Sequence, residues 1–163
     1  MLDRTRIGCQ VWHIAKQYNI TMTSVHDIIN SYIAYCKGLV AKGERVELFG
    51  LVSIVPDVIT SDYTTTLAFE CEKVADLLAL PQHTVYVVIK AYIEDAINSV
   101  LSGKVAEIRG LVVVKPIREN GEITKIHSNV SQSLKNVFLE TDSVVTSVRV
   151  HTYKSLRDRL CTD

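Results

Sequence analysis

The side chains of this sequence that are most able to do chemistry are five histidines and four cysteines. The histidines are His13, His26, His83, His127 and His151. None of them stands in the H-E-x-x-H spacing that places two zinc ligands on one helix face, and no cysteine lies beside one at ligand spacing. We therefore expect surface or half-buried structural roles for the histidines, with no metal site and no bound cofactor.

The cysteines are Cys9, Cys36, Cys71 and Cys161, and no C-x-x-C pair occurs among them. This spacing favours reduced and mostly buried thiols over the two alternatives, a disulfide or a metal site. The sequence also has no G-x-S-x-G, phosphate-loop or dinucleotide-binding glycine pattern. No set of residues proposes a reaction, so we expect no catalytic residues and a protein that is not an enzyme.

Charge is balanced along the whole chain. Eighteen Lys and Arg stand against eighteen Asp and Glu, which gives a formal net charge of zero. The balance also holds by region, with six basic residues against six acidic ones in 1–69, eight against nine in 70–140, and four against three in 141–163. No region has the surplus of positive charge on which non-specific nucleic-acid binding usually draws. Two small basic groups remain candidates for contact with a partner or a nucleic acid. They are Lys115, Arg118 and Lys125 around a predicted hairpin, and Arg149, Lys154, Arg157 and Arg159 near the C-terminus.

Both basic groups also have a simpler interpretation. Glu119 and Glu122 lie among the first group, which favours a solvated hairpin of mixed charge. The second group suits an acidic protein surface as well as DNA, and a free flexible tail is favoured over either.

The elements that must position these residues follow from an internal repeat with an offset of sixty residues. The stretch Gly43–Pro56 reads GERVELFGLVSIVP and returns as GKVAEIRGLVVVKP in Gly103–Pro116. Most matched positions are those that a shared core requires, so duplication explains the repeat. We predict one unit over 1–69, a second over 70–140, and a C-terminal strand and basic tail over 141–163.

Apolar spacing and turn residues predict an α+β fold. In chain order the prediction is a helix over 6–18, a helix from a cap at Thr21 or Thr23 to Gly43, strands over 45–48 and 51–55, a short hairpin between Pro56 and Phe69, helices over 70–79 and 81–101, strands over 105–109, 111–117 and 123–126, a helix over 131–139, a strand over 143–153, and a helical or free segment over 154–160. No apolar run approaches the ~20 residues of a spanning helix, so we expect a soluble protein without membrane contact. The N-terminus has no apolar signal region, so secretion is not expected.

The tyrosines divide into two groups. Tyr32 and Tyr92 hold equivalent positions in the two apolar faces, so we expect both to be buried. Tyr35, Tyr63 and Tyr86 lie off the apolar stripes, and exposed tyrosines are common anchors of protein interfaces. These three favour a protein partner.

The first unit resembles the HU and integration host factor family of bacterial nucleoid proteins. From His13 to Ile54, the residues HIAKQYNIT, a long helix and KGERVELFG follow the pattern of that family almost without gaps. Lys73–Val114 is a weaker match, and Ser131–Leu139 lies where the family has its short last helix. The resemblance implies two tandem helix–helix–hairpin units. Because the family acts as an intertwined homodimer, it also allows a single-chain pseudo-dimer.

The chain departs from this family where the DNA-bending arms belong. The family extends a long basic arm whose tip proline wedges between base steps. The first unit has DVITSDYTTTL there, without Lys or Arg, and the second has the short IRENGEITK, with as much acid as base. Both arms are therefore missing from the pattern.

Similar arm-poor domains occur in ring proteins of the neck and tail of tailed bacteriophages, notably crAss-like phages. The resemblance thus implies a non-enzymatic virion component, assembled in the host cytoplasm, that forms a ring with copies of itself and other virion proteins. The alternative is a cytoplasmic DNA-binding protein of the HU type, nucleoid or regulatory, with shortened arms. DNA binding is the less favoured of the two.

Overall fold

The computed structural model describes residues 6–56, 66–140 and 148–161. Over these ranges the chain has six helices and six strands, which confirms the predicted α+β class. The elements are α1 (Arg6–Tyr18), α2 (Met22–Ala41), β1 (Val46–Leu48), β2 (Val52–Pro56), α3 (Leu67–Leu78), α4 (Gln82–Leu101), β3 (Ala106–Ile108), β4 (Val112–Glu119), β5 (Glu122–Val130), α5 (Gln132–Glu140), β6 (Val148–Thr152) and α6 (Lys154–Cys161).

Two threonine caps set where helices begin. Thr21 accepts a hydrogen bond from the backbone N–H of Ser24 at 3.1 Å, so α2 starts as predicted. Thr66 accepts from the N–H of Phe69 at 3.1 Å, and α3 therefore starts three residues before the predicted Glu70. The end of the threonine run serves as a helix cap here. The hairpin predicted between Pro56 and Phe69 falls mostly on residues 57–65, which lie outside the described ranges.

The left-handed residues also repeat. Asn19 ends α1 with φ 53°, as predicted, and Ala79 ends α3 at the corresponding position with φ 55°. Asn120 and Gly121 turn the predicted hairpin with φ 55° and 84°. The strand after that turn runs over Glu122–Val130 and is longer than the predicted 123–126, because it pairs along the whole of β4.

The two antiparallel sheets have the orders β1-β2-β6 and β3-β4-β5. The strand β6 thus completes the sheet of the first repeat, as β5 completes that of the second. Val150 of β6 pairs with Ile54, and Ser128 of β5 pairs with Val114, the residue that corresponds to Ile54. Residues 143–147 of the predicted final strand lie outside the described ranges.

The segments after β6 and β5 also correspond. The N–H of Tyr153 donates to the carbonyl of Leu51 at 3.0 Å, and the N–H of Ser131 donates to the carbonyl of Leu111 at 2.8 Å. In each case a short helix follows, with Leu156 in α6 and Leu134 in α5 fully buried. The predicted final strand is therefore confirmed over Val148–Thr152, where it pairs with the open edge of β2. The free tail favoured for the basic residues after it is wrong, because α6 follows and Leu156 packs in the apolar core.

The two repeats share one core. The wide apolar faces of α2 and α4 pack on each other, α1 packs on α4, and α3 packs on α2. Two glycines mark the reciprocal contacts between the repeats. A Cβ atom added at Gly50 would lie 3.1 Å from Cδ1 of Ile97. A Cβ atom added at Gly110 would lie 3.0 Å from Nζ of Lys37, which holds in the first repeat the position that Ile97 holds in the second. Both glycines also have positive φ, which most side chains disfavour.

Replacing Leu156 with alanine tests whether the C-terminal segment belongs to the core. We expect Leu156→Ala to lower the free energy of unfolding by about 2–5 kcal/mol, as a buried leucine does, and Leu134→Ala to cost a similar amount. Urea denaturation followed by circular dichroism measures both. Arg157→Ala, at an exposed neighbour, serves as the control and should change stability by less than about 0.5 kcal/mol. An unchanged unfolding midpoint in Leu156→Ala would show that the segment is a tail.

Candidate functional site

The outer surface of the two sheets, turned away from the helices, brings together basic residues from both halves of the chain. Lys115 pairs with His127, Lys125 pairs with Ile117, and Arg149 pairs with Val55. His151 lies beside Ser53 on the same side. We call Lys115, Lys125, His127, Arg149 and His151, all exposed, the basic sheet surface.

The two halves of this surface are adjacent. The sheets adjoin along β5 and β6, where the hydroxyls of Ser128 and Thr152 lie 2.7 Å apart. The same outer faces of the two sheets also carry two carboxylates, which are Glu47 in β1 and the half-buried Glu107 in β3. The surface is therefore moderately basic, and both sheets contribute to it.

The other predicted contact residues lie apart from the basic sheet surface. Arg118 donates from Nη1 to the carbonyl of Gly121 at 3.4 Å, and its guanidinium lies against Gly103, so it is part of the hairpin. Lys154 and Arg157 are exposed on α6, while Arg159 lines a separate cleft. The seven basic residues thus do not form one site.

A buried carboxylate, Glu47, organises the first sheet. It is 8% exposed, and its Oε2 accepts hydrogen bonds from the hydroxyl of Ser53 and, at 2.7 Å, from that of Tyr153. Nη2 of Arg45 lies 3.5 Å from Oε1 of Glu47. Burial, followed by the hydrogen bond and charge of Glu47, raises the pKa of Tyr153 above its ordinary value. Both carboxylate oxygens are thus engaged, and the network fastens the returning chain to β1 and β2.

The sequence did not predict the roles of Glu47 and Tyr153. The available signal was a charged residue between two apolar ones in a predicted strand, VEL at 46–48. The second sheet has Val113 and Ser131 where the first has Ser53 and Tyr153. The tyrosine–carboxylate contact therefore occurs in the first sheet, whose third strand, β6, comes from the distant C-terminal part of the chain.

A second polar cluster lies in the helical core between α2 and α3. The thiol of Cys36 donates to Oε2 of the fully buried Glu70 at 3.9 Å, with Tyr32 and Cys71 nearby. Burial, and then the neighbouring Glu70, raises the pKa of Cys71 to about 12 and that of Cys36 well above its usual range. The prediction of reduced, buried thiols is confirmed for these two, whereas the side chains of Cys9 and Cys161 lie outside the described set.

A cleft of about 540 Å³ lies on one face of α4. Its apolar lining is Phe49, Leu67, Ile93 and Ile97. The corresponding face of α2 differs in chemistry, because Lys37 replaces Ile97 and donates from Nζ to the hydroxyl of Ser133 at 2.6 Å. We call this concavity the α4 cleft. The sequence did not predict it, because it forms only where both repeats meet.

The predicted tyrosine groups have different outcomes. Tyr32 and Tyr92 are buried, as expected, and the hydroxyl of Tyr92 accepts a hydrogen bond from the N–H of Arg109 at 3.2 Å. Tyr35 and Tyr86 are partly buried against the core, so their expected exposure is wrong, while Tyr63 lies outside the described ranges. The interface role of Tyr35 and Tyr86 stays a prediction, and Tyr86 also lines the α4 cleft.

The ranges 6–56, 66–140 and 148–161 contain neither a candidate metal cluster nor a candidate membrane-spanning helix. In those ranges no three His, Cys, Asp or Glu side chains come close enough together to hold a metal ion. None of the helices there combines the length and apolar character that crossing a membrane requires.

Comparisons with known proteins add no relative. No protein-family model matches the chain, and neither the curated proteins nor the solved structures include a significant match. The resemblance to the HU and integration host factor family therefore stays a prediction, and functional proposals rest on the residues and their geometry.

The raised pKa values of the core cysteines predict that the stability of the fold depends on pH. A thiol whose pKa is higher in the folded state than in the unfolded state makes its full contribution to stability at pH values below its unfolded-state pKa. This contribution is lost as the pH rises toward its folded-state pKa. We therefore expect the free energy of unfolding to fall between about pH 9 and pH 12. Cys71→Val, which introduces the residue of the first repeat at this position, Val11, should reduce that fall. Urea titrations at a series of pH values measure it, and an equal fall in both proteins would contradict the assignment.

Proposed function

We propose that this protein is a non-enzymatic assembly protein of a virion, in which it forms part of a ring at the neck or tail of a tailed phage. Its two units are tandem HU-like and integration-host-factor-like bodies that pair as a single-chain pseudo-dimer and lack the DNA-bending arms. Its partners are copies of itself and other virion proteins.

The observation that carries this proposal is the packing of the two repeats on each other within one chain. Gly50 lies against Ile97 of the second repeat, and Gly110 lies against Ile33 and Lys37 of the first. The helices contact each other in the same reciprocal way. The surface through which a homodimeric relative would pair is thus already covered. Any further association must use other surfaces, as the subunits of a ring do.

The form of the second hairpin supports an assembly role over duplex wrapping. Pro116 is buried, and the turn at Asn120 begins only four positions later, a reach of about 13 Å at the usual rise of a strand. Arg118, the arginine of that hairpin, is hydrogen-bonded back to Gly121. This short hairpin suits a contact with a neighbouring protein.

A second candidate function is DNA binding, and the basic sheet surface is the observation that favours it. Three permanent cations and two histidines are exposed there on adjoining strands. Such a surface neutralises phosphates without reading bases, and its affinity falls with salt.

Native mass distinguishes the two functions. We expect size exclusion with light scattering to give a closed oligomer larger than a dimer at high protein concentration, unchanged by duplex DNA at low salt. The reason is that the pairing surface inside the chain is already occupied, while other surfaces remain open. A strict monomer that also recruits no other virion protein would contradict the assembly proposal.

The DNA alternative has its own test in the salt dependence of binding. If the basic sheet surface binds duplex DNA, three phosphate contacts predict a slope of log K against log salt of roughly −3. Replacing Lys115, Lys125 and Arg149 together with alanine should flatten that slope. The matched control replaces Lys154 and Arg157, which lie outside this surface, and should leave the slope nearly unchanged. Absence of any mobility shift at low salt removes the candidate.

A further inference from the structure

We infer that copies of this chain associate head to tail, with the end of α3 of one copy, centred on Leu77, seated in the α4 cleft of the next. This inference rests on the proposed self-assembly and specifies the two surfaces that it uses. The partner it requires is a second copy of the same chain.

The α4 cleft has the size and lining of a docking site. Its volume of about 540 Å³ lies within the range of about 300–1,000 Å³ that is common for binding clefts. Phe49, a large apolar residue at the turn between β1 and β2, keeps 38% of its surface exposed. Ile93 and Ile97 lie behind it on α4. Covering this apolar surface releases water and is favourable.

The matching projection is Leu77, near the C-terminal end of α3. It is 72% exposed, more than any other large hydrophobic side chain in the described ranges. Ala79, just beyond the helix, is also exposed. The first repeat has the polar Gln17 at the position of Leu77, so the repeat fold itself does not require a leucine there.

Charge complements shape at these two surfaces. The exposed face of α3 around Leu77 carries Glu72, Lys73 and Asp76, an excess of one acidic residue. The lining of the α4 cleft carries Lys90, Glu94 and Arg159, an excess of one basic residue. Opposite excesses steer the two surfaces together and orient the contact.

The other candidate projection is Trp12 on α1, which is 48% exposed. Lys16 lies 4.8 Å from its ring centroid, and His13 packs edge-on at 5.2 Å. The ammonium group of Lys16 beside this ring would meet the basic excess of the cleft, so charge favours Leu77 over Trp12.

The two surfaces lie at opposite ends of α3. Leu67, in the first turn of the helix, lines the cleft, and Leu77 comes ten residues later, about 15 Å along the axis. Contact between two different surfaces of identical chains is heterologous. Repeated from copy to copy, it generates a closed ring or an open filament.

Sedimentation velocity on the full chain tests the projection. Leu77→Gln, which introduces the residue of the first repeat, should weaken self-association about tenfold, the effect expected for losing one buried leucine. Met22→Gln is the matched control, because Met22 is another exposed apolar residue and the second repeat has Gln82 at its position. The control should associate as the wild type does, and circular dichroism verifies that both variants fold.

Charge reversal tests the partner surface. Asp76→Lys and Lys90→Glu should each weaken association about fivefold, and the double variant should recover to within about twofold of the wild type. If the wild type assembles and the Leu77→Gln and Lys90→Glu variants assemble equally well, this inference is overturned but the proposed function is not. A wild type that does not self-associate at any concentration would overturn this inference, and one that also recruits no other virion protein would overturn the proposed function as well.

Discussion

Burial of the two long helices is the constraint on which the rest of this structure depends. The apolar faces of α2 and α4 are too wide for one short helix and one small sheet to cover, and each faces the other repeat. A unit of sixty to seventy residues buries a small share of its surface and is marginally stable by itself, so packing of one repeat on the other adds stability to both. The shared core also explains the reciprocal positions of Gly50 and Gly110, where the turns of one repeat touch the helix of the other.

Chain connectivity adds a second constraint. The first sheet lacks its third strand until residues 148–152 return to it, so its completion requires a contact across about a hundred residues of sequence. Closing a loop of that length costs conformational entropy, which the strand pairing, the burial of Leu156 and the hydrogen bond from Tyr153 to Glu47 together offset. The second sheet takes its third strand from a tight hairpin and has no tyrosine at the corresponding position.

Because both repeats belong to one chain, corresponding positions can hold different residues. In a homodimer every surface occurs twice, whereas here Ile97 and Lys37 hold corresponding positions with different chemistry. The result is an open apolar cleft beside α4 and a hydrogen-bonded lysine beside α2. Such asymmetry is what a directional, head-to-tail contact requires. The cluster of Cys36, Glu70 and Cys71 likewise occurs on one side of the core only, because the corresponding residues of the other side are Ala96, Gln10 and Val11.

The sequence by itself determined the α+β class, the order of the elements and most of the core. These follow from local physics: apolar periodicity predicts which face is buried, and Thr21, Asn19 and the Asn120–Gly121 pair set helix ends and a turn through their own backbone preferences. The tertiary structure alone decided that the last strand completes the first sheet, that Glu47 is a buried acceptor, and that a cleft opens beside α4. Each of these depends on residues far apart in the chain, and neither periodicity nor turn chemistry specifies which distant segments meet.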